Sequence, residues 1–269
     1  MLREPVVSGA FYPDDRVLLR SQLDSFFLEP KKYVDNVQGL IVPHAGYIYS
    51  GKIAAYGYSQ LMDSSFDLVI ILAPSHHHYS NNISLYSAGN YKTPFGEVKV
   101  DLETIKLMQG LDSKLSFVPE MHKQEHSLEV QLPFLQYLFK DSLMILPIVM
   151  SGQPENADIL SKAIANIAKQ KKILIIASSD MSHYHDYYSA NEMDQKTLDA
   201  IQKGQTDIII SKCVAREWEL CGLLPVITLL KVANDFGWHK VDILHYANSG
   251  DTSGIKNRVV GYGAVSFSS

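Results

Sequence analysis

The sequence has very little cysteine and no long apolar run. Among its 269 residues only Cys213 and Cys221 are cysteines, too few for the disulfide framework of a small secreted protein. The longest apolar stretches, such as residues 68–73, are too short to cross a bilayer. Residues 1–5 include an acid and a proline where a signal peptide needs an apolar run. We therefore expect a cytoplasmic protein with reduced thiols and no membrane partner.

Neither sign of charge dominates the chain. There are 24 Lys and Arg residues against 29 Asp and Glu residues, a formal net charge of -5. This balance gives no electrostatic reason to expect a nucleic-acid partner. The sequence also lacks a Gly-x-Ser-x-Gly elbow, a P-loop and a Gly-x-Gly-x-x-Gly turn after its first predicted strand. The α/β-hydrolase triad and the common nucleotide-binding loops therefore have no support.

Short apolar runs alternate with stretches of helical periodicity. Runs that are apolar at nearly every position are typical of strands buried on both faces of a parallel sheet. The pattern predicts a single α/β domain over residues 1–269, with a mainly parallel or mixed central sheet flanked by helices. Residues 1–13 look extended, and segments 83–86 and 97–100 predict an antiparallel hairpin joined through 91–96. The predicted strands are 39–42, 68–72, 143–150, 172–176, 241–244 and 259–267, and the predicted helices are 18–27, 51–62, 155–168, 191–201 and 223–236.

Three of the most apolar predicted strands are each followed closely by histidine: His44, His76 and His183. The carboxyl ends of parallel strands meet at one edge of a sheet, where α/β proteins bind their ligands. Neutral imidazole binds transition metals and also transfers protons near neutral pH. Three repeats of one arrangement favour a metal site over three unrelated loop histidines that only bond to the backbone.

The run from His76 to His78 does not supply three ligands. Neighbouring side chains in an extended segment point to opposite sides, so one of them, or the outer two, can face a common point. We favour His76 because Pro74 and Ser75 fix the exit from the strand. His77 and His78 are expected to contact substrate, neighbouring site residues or solvent.

A further histidine cluster lies at residues 122–129. His122 and His126 are four residues apart, but the residues between them do not match His-Glu-x-x-His, so a zinc-protease site is excluded. His126 with Glu125 or Glu129 could form an acid/base pair at a helix entrance. The alternative is a surface helix start whose glutamates stabilise the helix dipole. The sequence leaves both open, and Pro133 is expected to kink or restart the helix that follows.

The two cysteines occupy different settings. Cys221 and Gly222 precede a predicted helix that has proline in its first turn. Backbone N–H groups and the helix dipole lower the pKa of a thiol at such a position, and Gly222 leaves room beside the sulfur. Cys221 is therefore a candidate nucleophile or soft metal ligand, the alternative being a buried filler. Cys213 is expected to be a small buried hydrophobe.

Several blocks of the sequence resemble the signatures of the Memo (mediator of ErbB2-driven cell motility) family. The segments Arg3-Glu-Pro-x-x-Ser-Gly-x-Phe-Tyr-Pro13 and Val260-Gly-Tyr-Gly-Ala264 fit as well, so the resemblance spans the chain. The absence of a long animal-type extension favours a prokaryotic member. The blocks that carry the resemblance are Pro43-His-Ala-Gly-Tyr-Ile-Tyr-Ser-Gly51, Pro74-Ser-His76, Glu125-His-Ser-Leu-Glu-Val-Gln-Leu-Pro-Phe134, Ser178-Ser-Asp-Met-Ser-His183 and Cys221-Gly222.

The resemblance implies a fold similar to that of class III extradiol dioxygenases, which are non-haem iron enzymes. It implies that the metal-proximal residues are His44, His76 and Cys221. Two histidines and a cysteine also suit copper, so iron is the expected metal and copper the second choice. Because a thiolate replaces the carboxylate of the usual iron(II) oxygenase site, ring cleavage does not transfer with the fold.

The same resemblance places His126, Asp180 and His183 in the wall of the pocket, as candidate catalytic residues. Asp180 and His183 follow the same predicted strand, so we expect Asp180 to fix the tautomer of His183 and favour its charged form. His126 would then orient or deprotonate the substrate.

Three functions compete for this pocket. The first is a metal-dependent redox enzyme acting on a small molecule or peptide. The second is a non-catalytic protein that binds a metal or a phosphopeptide in the same pocket, and the third is a metal-assisted hydrolase that uses an activated water. Prokaryotic Memo proteins are often encoded beside a radical-SAM protein, in the AmmeMemoRadiSam grouping, which implies a functional link to that partner.

The first testable prediction separates the two thiols. Cys221→Ser should strongly weaken binding of iron or copper, because a hydroxyl replaces a thiolate poorly, whereas Cys213→Ser should cost at most some stability. Metal titration of both variants, run anaerobically to prevent thiol oxidation, makes the comparison. Unchanged affinity in Cys221→Ser would remove this thiol from the ligand set and leave Asp180 or Glu125 as the third ligand.

Overall fold

A twelve-stranded mixed sheet forms the centre of the protein in a computed structural model that describes residues 2–269. The strands are β1 (Leu2–Arg3), β2 (Val37–Val42), β3 (Leu68–Pro74), β4 (Ile83–Leu85), β5 (Asn90–Thr93), β6 (Gly96–Val100), β7 (Leu115–Ser116), β8 (Met144–Met150), β9 (Ile173–Ser178), β10 (His183–His185), β11 (Lys240–Asn248) and β12 (Val259–Ser268). Their order is β1-β5-β6-β8-β3-β9-β2-β12-β10, with β11 beside β12 and β4 pairing with both β7 and β8.

Helices cover the sheet. They are α1 (Arg16–Phe26), α2 (Tyr47–Ser59), α3 (Leu102–Gln109), α4 (Pro119–Lys123), α5 (Leu132–Phe139), α6 (Glu155–Ala168), α7 (Tyr187–Gln202), α8 (Thr206–Val214), α9 (Leu223–Phe236) and α10 (Ser249–Ser253), with 3-10 turns at Glu129–Gln131 and Lys140–Ser142. Within residues 2–269, no helix combines the length and the apolar character that a membrane span requires.

The four central strands β8, β3, β9 and β2 are parallel neighbours. Every residue of β3 is buried, as expected for a strand covered on both faces. On the β2 side of these four strands the pairing is antiparallel, since β12 pairs in this way with β2, β10 and β11. The predicted α/β class and mixed central sheet are confirmed.

The strand order brings three loops to one edge. The chain runs from β2 to β3 but leaves a gap between them, which β9 fills later with parallel pairing on both sides. The carboxyl ends of these three strands are therefore neighbours. They lead into His44, His76 and Asp180, at the position where open α/β sheets bind ligands.

Two predicted helices, α6 and α9, have the predicted bounds, while others start earlier. Helix α2 begins at Tyr47 rather than residue 51, because the Tyr47 N–H donates to the Phe11 carbonyl at 2.8 Å. Helix α7 begins at Tyr187 rather than residue 191, because the Asp186 side chain caps it. The contact with Phe11 thus extends α2 beyond the segment in which the sequence shows helical periodicity.

The predicted hairpin has a different first strand. β5 (Asn90–Thr93), rather than residues 83–86, pairs antiparallel with β6. The predicted pairing of residues 83–86 is wrong because this segment forms β4. All three residues of β4 are buried, and it pairs with the interior strand β8 and with β7. Gly96, with φ of 120°, provides the tight turn between β5 and β6.

The N-terminal strap, defined as residues 3–12, is fastened by a buried ion pair. β1 adds a short strand beside β5, and Arg3 then donates to the Glu129 carboxylate at 2.8 Å. The same guanidinium donates to the carbonyl oxygens of His122 and Glu125 at 3.0 and 2.7 Å. Arg3 therefore ties the start of the chain to the segment that carries Glu125.

Glu129 holds the rest of the strap. Its fully buried carboxylate accepts hydrogen bonds from the backbone N–H groups of Val6 and Val7 and from the Tyr12 hydroxyl, at 2.8 to 3.1 Å. Charge-assisted bonds of this kind are the strong ones. One carboxylate thus fixes both ends of the strap.

The second prediction concerns this ion pair. Glu129→Gln leaves the Arg3 charge buried without its partner, so the free energy of unfolding should fall by about 3–5 kcal/mol, measured by urea denaturation. Glu192→Gln, which breaks an exposed pair with Lys196, is the control and should change little. Equal stability of the two variants would show that the buried pair does not secure the strap.

Candidate metal centre

Three residues from separate loops converge at the carboxyl edge of the sheet. Ligand atoms of His44, His76 and Cys221 all lie within 4.8 Å of one another. The Nε2 atom of His44 is 3.2 Å from the Cys221 sulfur, and the two imidazole rings are 5.1 Å apart, centre to centre. The structure therefore brings together the three residues that the sequence analysis named as metal ligands.

The tautomer of His44 follows from its neighbours. The Ser178 hydroxyl donates to the carbonyl of Ser127 at 2.7 Å, so its oxygen accepts from His44 Nδ1 at 2.9 Å. This assigns the proton to Nδ1 and leaves the Nε2 lone pair directed towards Cys221. Burial, together with the neighbouring His76, lowers the pKa of His44 to about 3. His44 is therefore neutral at neutral pH, the form that binds metals.

Glu125 orients His76. Its carboxylate accepts the His76 backbone N–H at 2.6 Å and the ring Nδ1–H at 2.9 Å, so Nε2 is left for a metal. Burial opposes the charge on both groups, but the mutual hydrogen bonds and attraction prevail. They lower the pKa of Glu125 to about 2 and raise that of His76.

His126 lies in the same cluster of side chains as His44, His76 and Glu125, not at an exposed helix start. Its ring lies 4.8 Å from that of His76 and 5.6 Å from that of His44, and its Nδ1 is 3.4 Å from the Glu125 carboxylate. Phe11 of the strap covers the ring at 4.8 Å. Burial, with the repulsion of His44, lowers the pKa of His126 to about 4. As predicted, Pro133 lies in the first turn of a restarted helix, α5.

The surroundings of Cys221 disfavour the thiolate. Burial raises the pKa of the thiol, and the nearby Asp180 carboxylate adds to the shift, against the Asp180 N–H that points at the sulfur from 3.1 Å. The expected lowering by the helix N-terminus is wrong here, because desolvation outweighs the dipole. Two acceptors are within reach of the thiol: His44 Nε2 at 3.2 Å and the Asp180 carbonyl oxygen at 3.6 Å from the sulfur.

Gly222 has a different role from the expected one. A Cβ at this position would collide with the Ser178 carbonyl oxygen and the Ser179 side chain. Glycine therefore allows the Cys221 loop to pack directly on the end of β9, rather than leaving room beside the sulfur. This close approach is what brings Cys221 to His44.

Asp180 contacts His44 rather than His183. Its Oδ1 accepts the His44 backbone N–H at 2.8 Å, and Oδ2 lies 4.0 Å from His44 Nε2. Burial raises the pKa of Asp180, although the His44 N–H and the charge of His183 act in the opposite direction. His183 is held by its backbone N–H, which donates to Glu219 at 2.8 Å. Among residues 2–269 no hydrogen bond joins Asp180 and His183.

Sequence reasoning missed two polar residues that support the site. Gln131 donates to the Ser178 hydroxyl oxygen at 2.8 Å and to the Pro43 carbonyl at 3.0 Å, which fixes the loop before His44. Glu219 holds the His183 segment through both carboxylate oxygens. Gln131 lies within the block 125–134, so the block itself was a signal, whereas nothing local marks Glu219.

The other histidines near the motifs lie outside the cluster. His122 is buried between the Tyr91 hydroxyl and Ser84, where it serves packing. His77 and His78 are exposed, as expected for residues that face solvent. His76 is thus the residue of the triple run that joins the cluster.

The fold and the site define an α/β protein with a candidate His-His-Cys metal centre at the carboxyl edge of its parallel strands. A family model described as Memo-like protein matches residues 3–266. A MEMO1 family protein of Sulfolobus acidocaldarius is 39% identical over 287 residues, covering 99% of each chain. One of Saccharolobus islandicus is 39% identical over 290 residues, covering 100% of both. The chain belongs to the Memo family, which confirms the resemblance.

The third prediction follows from the Glu125–His76 pair. Glu125 stabilises the fold above its usual pKa of 4.5, and this stabilisation is lost as pH falls towards about 2. His76 stabilises it below its usual 6.5, and this is lost as pH rises through its raised pKa. The stability difference between the parent and Glu125→Gln should therefore be largest between pH 4.5 and 6.5.

Urea unfolding of the metal-free proteins, inside this window and on either side of it, measures the difference. His185→Gln, which disrupts a half-exposed pair with Glu219, serves as the control for loss of a surface charge pair. A difference that does not vary with pH would contradict the assignment of the ion pair.

Proposed function

We propose that this Memo family protein is a metal-dependent redox enzyme related to the extradiol dioxygenases. His44, His76 and Cys221 would hold iron, with copper as the second choice. The observation that carries the proposal is the convergence of the three ligand atoms within 4.8 Å. In both imidazoles, Nδ1 is committed to a protein partner and Nε2 is left for coordination.

The donor set fits the proposed metals. Two neutral imidazoles and a thiolate suit iron or copper, whereas magnesium and calcium prefer oxygen ligands. When bound, the metal would supply one-electron chemistry and coordination positions for a substrate. The Cys221 thiol and the His76 imidazolium would each have to lose a proton on binding, because only the thiolate and the neutral imidazole are ligands.

Residues beside the ligands would handle the substrate. His126 is neutral at neutral pH and is held between Phe11 and the His76 ring, so one of its ring nitrogens would accept or donate a hydrogen bond to the substrate. Asp180 would fix the His44 loop and hold a proton at its Oδ2, which its raised pKa favours. His183, which lines the cavity beside the centre together with Cys221, would exchange protons with the substrate.

The substrate would be a small molecule or a peptide, and the protein would act in the cytoplasm. Prokaryotic Memo proteins are often encoded beside a radical-SAM protein, which supports a functional link to such a partner. The product of one protein would then be the substrate of the other. Neither nucleic acid nor a membrane has a role in the proposal.

The fourth prediction tests the function. Protein purified without chelators or an affinity tag should contain close to one iron or copper per chain, and oxygen uptake in the presence of a reductant should follow the bound metal. His126→Gln should keep the metal but lower the rate of oxygen uptake, by about 10²–10⁴-fold if this ring transfers protons. His78→Gln, at an exposed position of the loop that carries His76, is the control for loss of an imidazole and should behave as the parent.

Two results would contradict the proposal. A protein that stays metal-free under anaerobic titration with iron(II) and copper(I), yet binds a phosphotyrosine peptide, would be a binding protein. A metal-loaded protein that takes up no oxygen and hydrolyses esters would be a hydrolase.

A further inference from the structure

A cavity of about 340 Å³ adjoins the candidate metal centre. Cys221 and His183 are among its lining residues. The remaining lining comes mainly from the end of α8 and the loop 215–222 that leads into α9, and it includes Cys213, so both cysteines face the same cavity. The volume lies near the lower end of the range of about 300–1,000 Å³ for ligand pockets.

Part of the cavity wall is apolar. Trp218, Leu220 and Leu223 contribute an indole ring and two aliphatic side chains. Flat apolar groups pack well against an indole face. This wall therefore suits a small hydrocarbon or aromatic body.

The charges in the cavity leave one cation without a partner. Glu219 is satisfied, since its two oxygens accept from the His183 N–H and from His185 Nε2, at 2.8 and 2.9 Å. Arg216 also lines the cavity, and within residues 2–269 its guanidinium forms no ion pair. Its backbone has φ of 58°, an uncommon conformation for a bulky residue. The cavity thus presents a single available positive charge beside an apolar wall.

We propose that this cavity binds the substrate of the centre, and that the substrate is a small apolar or aromatic carboxylate. The planar guanidinium of Arg216 would pair with the carboxylate, since this geometry allows two parallel hydrogen bonds. Trp218 would cover the apolar body, which would then lie beside Cys221 and His183. This inference rests on the proposed function for its catalytic meaning, but binding itself can be tested without a metal.

Fluorescence titration with 3-phenylpropionate is the test. The sequence has two tryptophans, so comparison of the parent with Trp218→Phe isolates the signal of Trp218. We expect saturable quenching that is absent in Trp218→Phe. The alcohol 3-phenylpropanol, which lacks the charge, should bind about tenfold more weakly, the equivalent of about 1.4 kcal/mol and close to the value of a hydrogen bond to a charged group.

Arg216→Met should lower the affinity for the acid to that for the alcohol and leave the affinity for the alcohol unchanged. Arg20→Met, in a separate basic cleft, is the matched control and should bind both probes as the parent does. Calorimetric titration of the same proteins gives a second readout that does not depend on tryptophan. A phenylalkyl phosphate is the other kind of apolar anion that Arg216 could bind, and we expect it to bind no more tightly than the carboxylate. Tighter binding of the phosphate would overturn the assigned substrate class.

The titrations are run on the metal-free protein and on protein after addition of iron(II) under anaerobic conditions. Absence of saturable binding in both forms, or equal affinity for the acid in Arg216→Met and the parent, would overturn the proposal. Arg216→Met should bind iron as the parent does. Loss of acid binding in Arg216→Met, with iron binding unchanged, therefore tests the cavity alone. Failure of the parent to bind iron tests the proposed function alone.

Discussion

The carboxylate of Glu125 joins the loops on which the candidate centre depends. It accepts the backbone and ring N–H groups of His76 and also the backbone N–H of Ser127 at 2.9 Å. The Ser127 hydroxyl donates to the carbonyl of Pro74, and the Ser127 carbonyl accepts the hydroxyl of Ser178. Through two residues the ends of β3 and β9 are therefore linked to one another and to both imidazoles.

Burying such a carboxylate is costly unless its charge is matched. Glu125 and Glu129 are each about 1% exposed or less, and they lie four residues apart on the same segment. Glu125 is matched by His76, and Glu129 by Arg3. Because Arg3 also donates to the Glu125 carbonyl, the N-terminal strap and the site form one connected network. The strap further supplies Phe11, which covers His126.

The placement of His44 and His76 could be predicted from the sequence because it depends on local pattern and simple sheet geometry. An apolar run ends, a histidine follows, and parallel neighbours bring the two ends together. The identity of Glu125 as the partner of His76, 49 residues away, depends on the packing of the 125–131 segment, which has no local signal. The hydrogen bond of Asp180 to His44, rather than to His183, likewise depends on tertiary packing that the local sequence does not show.

Cys221 shows the limit of local electrostatic reasoning. A position before a helix argues for a lowered thiol pKa, but the close packing that Gly222 permits buries the sulfur and reverses the shift. The resemblance to Memo proteins correctly implied that Cys221 lies beside His44. Sequence motifs of a family reflect its tertiary packing, whereas hydrophobic periodicity reflects only local structure. The predicted hairpin between residues 83–86 and 97–100 was wrong for a related reason. The first of these segments, β4, is buried and pairs with β8, and β5 pairs with β6 in its place.

The two imidazoles of the centre are held by unlike partners, and this gives them unlike chemistry. His44 donates from Nδ1 to a neutral hydroxyl, whereas His76 donates from Nδ1 to a carboxylate. A carboxylate partner raises the basicity of the imidazole it holds, so His76 is the stronger donor at Nε2. His44 instead lies beside the Cys221 thiol, with its Nε2 atom 3.2 Å from the sulfur. The three donor groups therefore lie close together before any metal is considered, and coordination would require both the Cys221 thiol and the His76 imidazolium to give up a proton, because only the thiolate and the neutral imidazole are ligands.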